Sequence, residues 1–126
     1  LKPQSVHKIG GFKVQGREPD RAAEMVRAAE RLQASGADIV LLECVPNELG
    51  AAVTAALDVP VIGIGAGPDV DGQILVLYDI LGITLGRTPR FVRIYTPGTD
   101  SPLEAIARYV ESVRVRSYPA PEHCFS

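Results

Sequence analysis

Asp38-Ile39-Val40-Leu41-Leu42-Glu43-Cys44-Val45-Pro46 decides the reading of this chain. A run of buried-type residues ends in a carboxylate, and a proline closes it. Amphipathic segments flank the run on both sides. An apolar strand alternating with helices implies a parallel sheet, because the crossover helices cover its faces. In such folds chemistry gathers at the carboxyl ends of the strands. Glu43 stands at that end with no cation beside it in the local sequence. A carboxylate in a closed apolar site is a stronger base than one in water, so Glu43 is a candidate general base. The alternative is a glutamate at a strand tip that meets water or a loop amide.

Working outward, helix is expected from about 20 to 35, where Ala22, Met25, Val26, Ala29 and Leu32 share one face. Gly36 is its expected stop. Strand is read at 38–45, helix at about 47–57 and a second strand at 59–65, ending in Gly63-Ile64-Gly65-Ala66-Gly67. Ile74-Leu75-Val76-Leu77-Tyr78 reads as a possible third strand, and Phe12-Lys13-Val14 as a short one. The final helix is announced by Ser101-Pro102-Leu103-Glu104, a capping box with proline at the first helical position. Leu103, Ile106, Val110 and Val113 make its apolar stripe, which is expected to pack on the rest of the protein.

The chain has 126 residues, of which 46% are hydrophobic, so one globular domain is expected rather than disorder. A net charge of −2 makes no case for nucleic acid or an acidic membrane surface. No apolar run approaches the roughly 18 residues of a membrane span, and no signal segment opens the chain. Cys44 and Cys124 are far apart with no CxxC pair, as reduced thiols in a cytoplasmic protein would be. The chain opens Leu1-Lys2-Pro3-Gln4 without methionine, as a fragment, a processed piece or an artificial boundary would.

Gly63–Gly67 lacks the dinucleotide fingerprint, since Pro68 stands where the third glycine belongs, and no Gly-Lys-Ser/Thr follows. It is either a cradle for an anion or a tight strand-to-loop turn. Gly10–Arg17, with Lys13 and Arg17, is either a flap over a site or a plain surface loop. Asp69, Asp71 and Asp79 do not have calcium-loop spacing. His7 and His123 are isolated, and there is no Gly-x-Ser-x-Gly elbow.

Taken together, several segments resemble the C-terminal half of the ketopantoate hydroxymethyltransferase family. They are Pro3-Gln4-Ser5, Gly10-Gly11-Phe12-Lys13-Val14-Gln15-Gly16-Arg17, Leu42-Glu43-Cys44-Val45-Pro46, Pro60-Val61-Ile62-Gly63-Ile64-Gly65-Ala66-Gly67, Asp71-Gly72-Gln73-Ile74-Leu75-Val76, Pro89-Arg90-Phe91-Val92-Arg93 and Tyr118-Pro119 with Glu122-His123. They occur in the family's order and cover essentially the whole chain. Lys2 and Cys124 depart from the family's usual threonine and serine.

The resemblance implies an α/β fold, with residues 1–126 forming the C-terminal half of a (β/α)8 TIM barrel of the phosphoenolpyruvate/pyruvate-binding type. It implies transfer of a hydroxymethyl group from 5,10-methylenetetrahydrofolate to 3-methyl-2-oxobutanoate, giving 2-dehydropantoate in pantothenate biosynthesis. It puts Glu43 at the position of the family's general base. A magnesium ion grips the keto acid in the family, and its ligands belong to earlier strands. No metal ligand is therefore mapped onto this chain, and Asp69, Asp71 and Asp79 are not substitutes. A substrate-binding lysine and a histidine also precede the segment, and Leu1 corresponds to a point just after that histidine. The implied partners are the missing N-terminal half and further copies of the chain, a decamer being common in the family. A non-catalytic fragment that only binds a partner is the rival expectation. A different lyase of the same superfamily is another, against which Gly10–Gly16 weighs.

Overall fold

The computed structural model describes residues 14–126. The expected strand at Phe12–Val14 falls mostly outside them, as does His7. The elements in chain order are α1 (Pro19–Ala34), β1 (Val40–Glu43), α2 (Asn47–Ala56), β2 (Val61–Ile64), β3 (Gly72–Gln73), α3 (Leu77–Leu81) and α4 (Pro102–Arg114). A short 3-10 helix follows at Pro121–His123. The three strands form one parallel sheet in the order β1-β2-β3.

Helix α1 starts with Pro19 in its first turn and ends at Gly36, whose φ of 94° a glycine adopts without strain. The Ala37 amide then donates to the Leu32 carbonyl at 3.1 Å, closing the last turn. Ala29 is buried against the sheet, with Ala22, Met25 and Val26 packed around it. Leu32, the last member of the expected stripe, remains half exposed.

Side chains alternate across a strand. Val40 and Leu42 point toward α1 and α2 and join Val45, Leu49, Val53 and Val61 in the main core. Leu41 and Glu43 point to the opposite face. There Leu41 is 52% exposed, and Ile39 is exposed beside it. The expectation of a sheet buried on both faces is thus met under α1 and α2, while among the described residues the other face is covered only at its Ile64 end. Helix α1 and the β1–β2 crossover helix α2 lie on the same side.

The apolar run at 74–78 is not one strand. Pairing covers Gly72–Gln73, and the Ile74 amide still donates to the Gly63 carbonyl at 3.0 Å. From Leu77 the chain turns into α3, which closes at Gly82 in the left-handed region. Five apolar residues are too few for periodicity to separate strand from helix. Burial of Ile80 and Asp79 selects the helix.

Helix α4 keeps its cap but turns its stripe. Ser101 Oγ accepts from the Glu104 amide at 3.2 Å, while the Glu104 carboxylate accepts from the Asp100 amide at 2.9 Å, one residue further back than the expected box. The buried face is Ala105, Tyr109 and Ser112, whereas Leu103 and Val110 are exposed. Only Val113 of the expected stripe packs closely. The reason is aromatic. Tyr109 lies edge-on to Tyr95 at 5.6 Å and to Tyr118 at 5.9 Å, and its hydroxyl donates to the Gln73 carbonyl at 3.0 Å. Large rings with a satisfied hydroxyl bury more than the aliphatic stripe offers, so the helix is rotated by roughly 100°, one residue's worth.

Two predictions follow from this packing. A Cβ at Gly50 in α2 would lie 2.2 Å from the Ala66 carbonyl oxygen. Gly50→Ala should therefore destabilise in a denaturant melt, although helix propensity alone predicts a gain of about 1 kcal/mol. The uncovered face with Ile39 and Leu41 should make the isolated chain associate. Sedimentation of the wild type should show dimers or larger species, and a Leu41→Lys variant should be shifted toward monomer. A monodisperse wild-type monomer is the contrary result.

Candidate active site at the carboxyl end of the sheet

Glu43 is the last residue of β1 and pairs with Ile64, the last residue of β2. Neighbouring residues of a parallel ladder share a face, so both side chains lie on the side away from α1 and α2. Glu43 is partly buried. Ile64 is buried in a small cluster with Phe91 and Val92, on which Cys44, Leu75 and Phe125 also pack.

Beyond the strands the pairing continues through an irregular turn. The Cys44 amide donates to the Ile64 carbonyl and the Val45 amide to the Gly65 carbonyl, each at 3.0 Å. Cys44 has φ 53°, in the left-handed region that costs a non-glycine residue about 1–3 kcal/mol. Its carbonyl accepts from the Gln15 amide at 3.1 Å. This brings the described end of the Gly10–Arg17 segment to the carboxyl end of β1.

The glycines of 63–67 are occupied by the protein itself. A Cβ at Gly65, where φ is 65°, would lie 2.7 Å from the Phe91 ring. One at Gly67 would lie 2.5 Å from Asn47 Oδ1. Gln73 Nε2 donates to the Gly67 carbonyl at 2.8 Å. The turn alternative accounts for these glycines: they admit Phe91 and the start of α2.

Asp71 and Asp79 are structural, and Asp69 is exposed. Asp71 Oδ2 accepts from the Val61 amide at 2.8 Å where β2 begins, and Asp79 Oδ1 accepts from the Thr84 hydroxyl. His123 Nδ1 accepts from the Ala120 amide at 3.1 Å. Among the described residues no group of three or more His, Cys, Asp or Glu is placed to hold a metal ion. Among the described residues, the side chains at this strand end do not make a magnesium site. Phe91 and Phe125 were not singled out from the sequence. Phe91 lies within Pro89–Arg93, but nothing local marks it as packing on Ile64.

Cys44 reports on the same corner. Burial pushes its thiol above the ordinary value, and the adjacent Glu43 carboxylate pushes it further the same way. Alkylation of Cys44, followed in a Cys124→Ala background, should therefore rise at higher pH than for a free thiol. Glu43→Gln removes a negative charge that opposes the thiolate. The midpoint should move to lower pH in that variant, and an unmoved midpoint would contradict the coupling.

A family model described as ketopantoate hydroxymethyltransferase matches residues 1–121. The 3-methyl-2-oxobutanoate hydroxymethyltransferase of Chromohalobacter salexigens is 56% identical over 125 residues, covering 99% of this chain and 48% of the relative. That of Marinobacter nauticus is also 56% identical over 125 residues, with 99% and 47% covered. That of Shewanella loihica is 51% identical over 126 residues, with 100% and 48% covered. The chain spans about half the length of the curated relatives it matches, and corresponds to their C-terminal half. With a match over nearly its full length, it belongs to the ketopantoate hydroxymethyltransferase family.

Proposed function

We propose that this chain is the base-bearing half of a 3-methyl-2-oxobutanoate hydroxymethyltransferase. Residues 1–126 form one partial (β/α)8 barrel in this reading, completed by the N-terminal half. Two features support it. The sheet is parallel with its helices on one side. Its other face carries Leu41 and Glu43, on the side that faces the interior of a closed barrel.

The reaction is transfer of a hydroxymethyl unit from 5,10-methylenetetrahydrofolate to 3-methyl-2-oxobutanoate, giving 2-dehydropantoate. The keto acid must first lose the proton from C3, next to its carbonyl. Glu43 takes that proton, and the electron pair moves onto the carbonyl oxygen. The resulting enolate carbon bonds to the one-carbon carbon. Overall its two C–N bonds to the folate break, water supplies the hydroxyl oxygen, and tetrahydrofolate leaves. The single observation that carries the role is position: Glu43 ends a parallel strand, on the face away from the helices. Ile64, Phe91 and Phe125 give that end an apolar flank.

Magnesium has no ligand set among the described residues, and any such ion belongs to the completing half. Assembly as a homo-oligomer and a cytoplasmic location are parts of the same proposal. No helix among the described residues is long and apolar enough to cross a membrane.

The test uses this chain combined with the N-terminal half of a relative. Incubated with 3-methyl-2-oxobutanoate and magnesium in D2O, the assembled protein should exchange the C3 proton, seen as loss of its NMR signal. Glu43→Gln should slow exchange by about 10²–10⁴-fold, the usual contribution of a general base. Unchanged exchange in that variant would remove Glu43 from the role. No exchange in a correctly assembled wild type would favour a non-catalytic, partner-binding half barrel.

A further inference from the structure

We propose that Phe125, carried on the C-terminal tail, is a positioning residue for Glu43. The inference rests on the reading of Glu43 as the base. The carboxylate can hold one direction only if the turn after it is held, and that turn contains Cys44 at φ 53°. A strained residue stays in place when its surroundings over-determine it. On the strand side, hydrogen bonds to the Ile64 and Gly65 carbonyls do this. Gly65 is then the point that must not move.

Phe91 and Phe125 fix Gly65 from above. A Cβ on Gly65 would meet the Phe91 ring at 2.7 Å and the Phe125 ring at 3.3 Å. The two rings meet edge to face, 6.4 Å apart at 73°, a favoured aromatic geometry. Phe125 also packs in the cluster with Cys44, next to Glu43 in the chain, and Ile64, across from it in the ladder.

The tail that delivers this ring is clamped at three places. The Asn47 amide donates to the Phe125 carbonyl at 3.0 Å, Arg17 Nε donates to the Ser126 carbonyl at 3.1 Å, and Arg90 Nε donates to the Glu122 carbonyl at 3.0 Å. The Arg90 guanidinium also lies 5.9 Å from the centre of the Phe125 ring. Residues 17, 47 and 90 come from three separate segments, so the tail is a strap across the carboxyl ends of β1 and β2. Its ring packs in the cluster with Ile64, which pairs with Glu43, and Cys44, which follows it.

The assembled protein tests this through C3 exchange measured against keto acid concentration. Phe125→Ala should lower kcat by about 10–100-fold, since a displacement of about 1 Å at a reacting group can cost 10²-fold, while KM stays within about twofold because ground-state binding is untouched. Phe125→Leu, which refills the space over Gly65, should recover most of kcat. Arg17→Ala, which loosens the strap without opening a hole, should lower kcat in the same direction. Wild-type kcat in Phe125→Ala, beside an inactive Glu43→Gln, overturns the positioning role and leaves the base reading standing. An active Glu43→Gln overturns the base reading itself. If Phe125→Ala does not assemble, wild-type kcat in Arg17→Ala is the overturning result.

Discussion

The register of β1 on β2 fixes which side chains enter the core and which are presented to the other face. The register sets Val40 against Val61 and Glu43 against Ile64. A slip of one residue would move every side chain to the opposite face. Val40 and Leu42 would then leave the core under α1 and α2, and Glu43 would be driven into it. The cost of burying an unpaired carboxylate among aliphatic side chains makes that register untenable. The same alternation that builds the core therefore presents Glu43 on the other face.

A second constraint acts just beyond the strands. The chain has to leave β1 and β2 within a few residues to start α2 and the loop after Gly65. It does so with Cys44, Gly65 and Gly67 all at positive φ. The two glycines also leave room for Phe91 and Asn47. Turn geometry, the apolar cluster and the tail thus converge on one corner of the sheet. Tyr118 ties the same region down, because its hydroxyl donates to the Phe91 carbonyl at 2.6 Å.

The two faces of the sheet have different standing. One is packed by helices from its own chain, with Val45, Val53 and Val61 fully buried. The other leaves Ile39, Leu41 and Ile74 in contact with solvent. Apolar side chains in register on an open parallel sheet are an unfinished core. That fits a chain about half as long as the relatives it matches.

Much of this was legible in the sequence. The helix before Gly36, both main strands, the Ser101 cap and the position of Glu43 at a strand end all rest on local rules of period, cap and turn. Such rules act within a few residues and survive without tertiary context. The turn of α4 was not legible, since Leu103, Ile106 and Val110 form as good a stripe as Ala105, Tyr109 and Ser112. Only the distant rings of Tyr95 and Tyr118 choose between them. The run at 74–78 was ambiguous for a similar reason, and packing of Ile80 settled it as the lead into a helix. The neighbourhood of Glu43 needed the fold most of all. Phe91 and Phe125 are 48 and 82 residues away along the chain, and no periodic signal links residues so separated. The sequence by itself places Glu43 near the carboxyl end of a strand, although the strand expected at 38–45 ends at Glu43. The tertiary structure alone decided what surrounds it, because contacts between distant segments exist only once the chain has closed on itself.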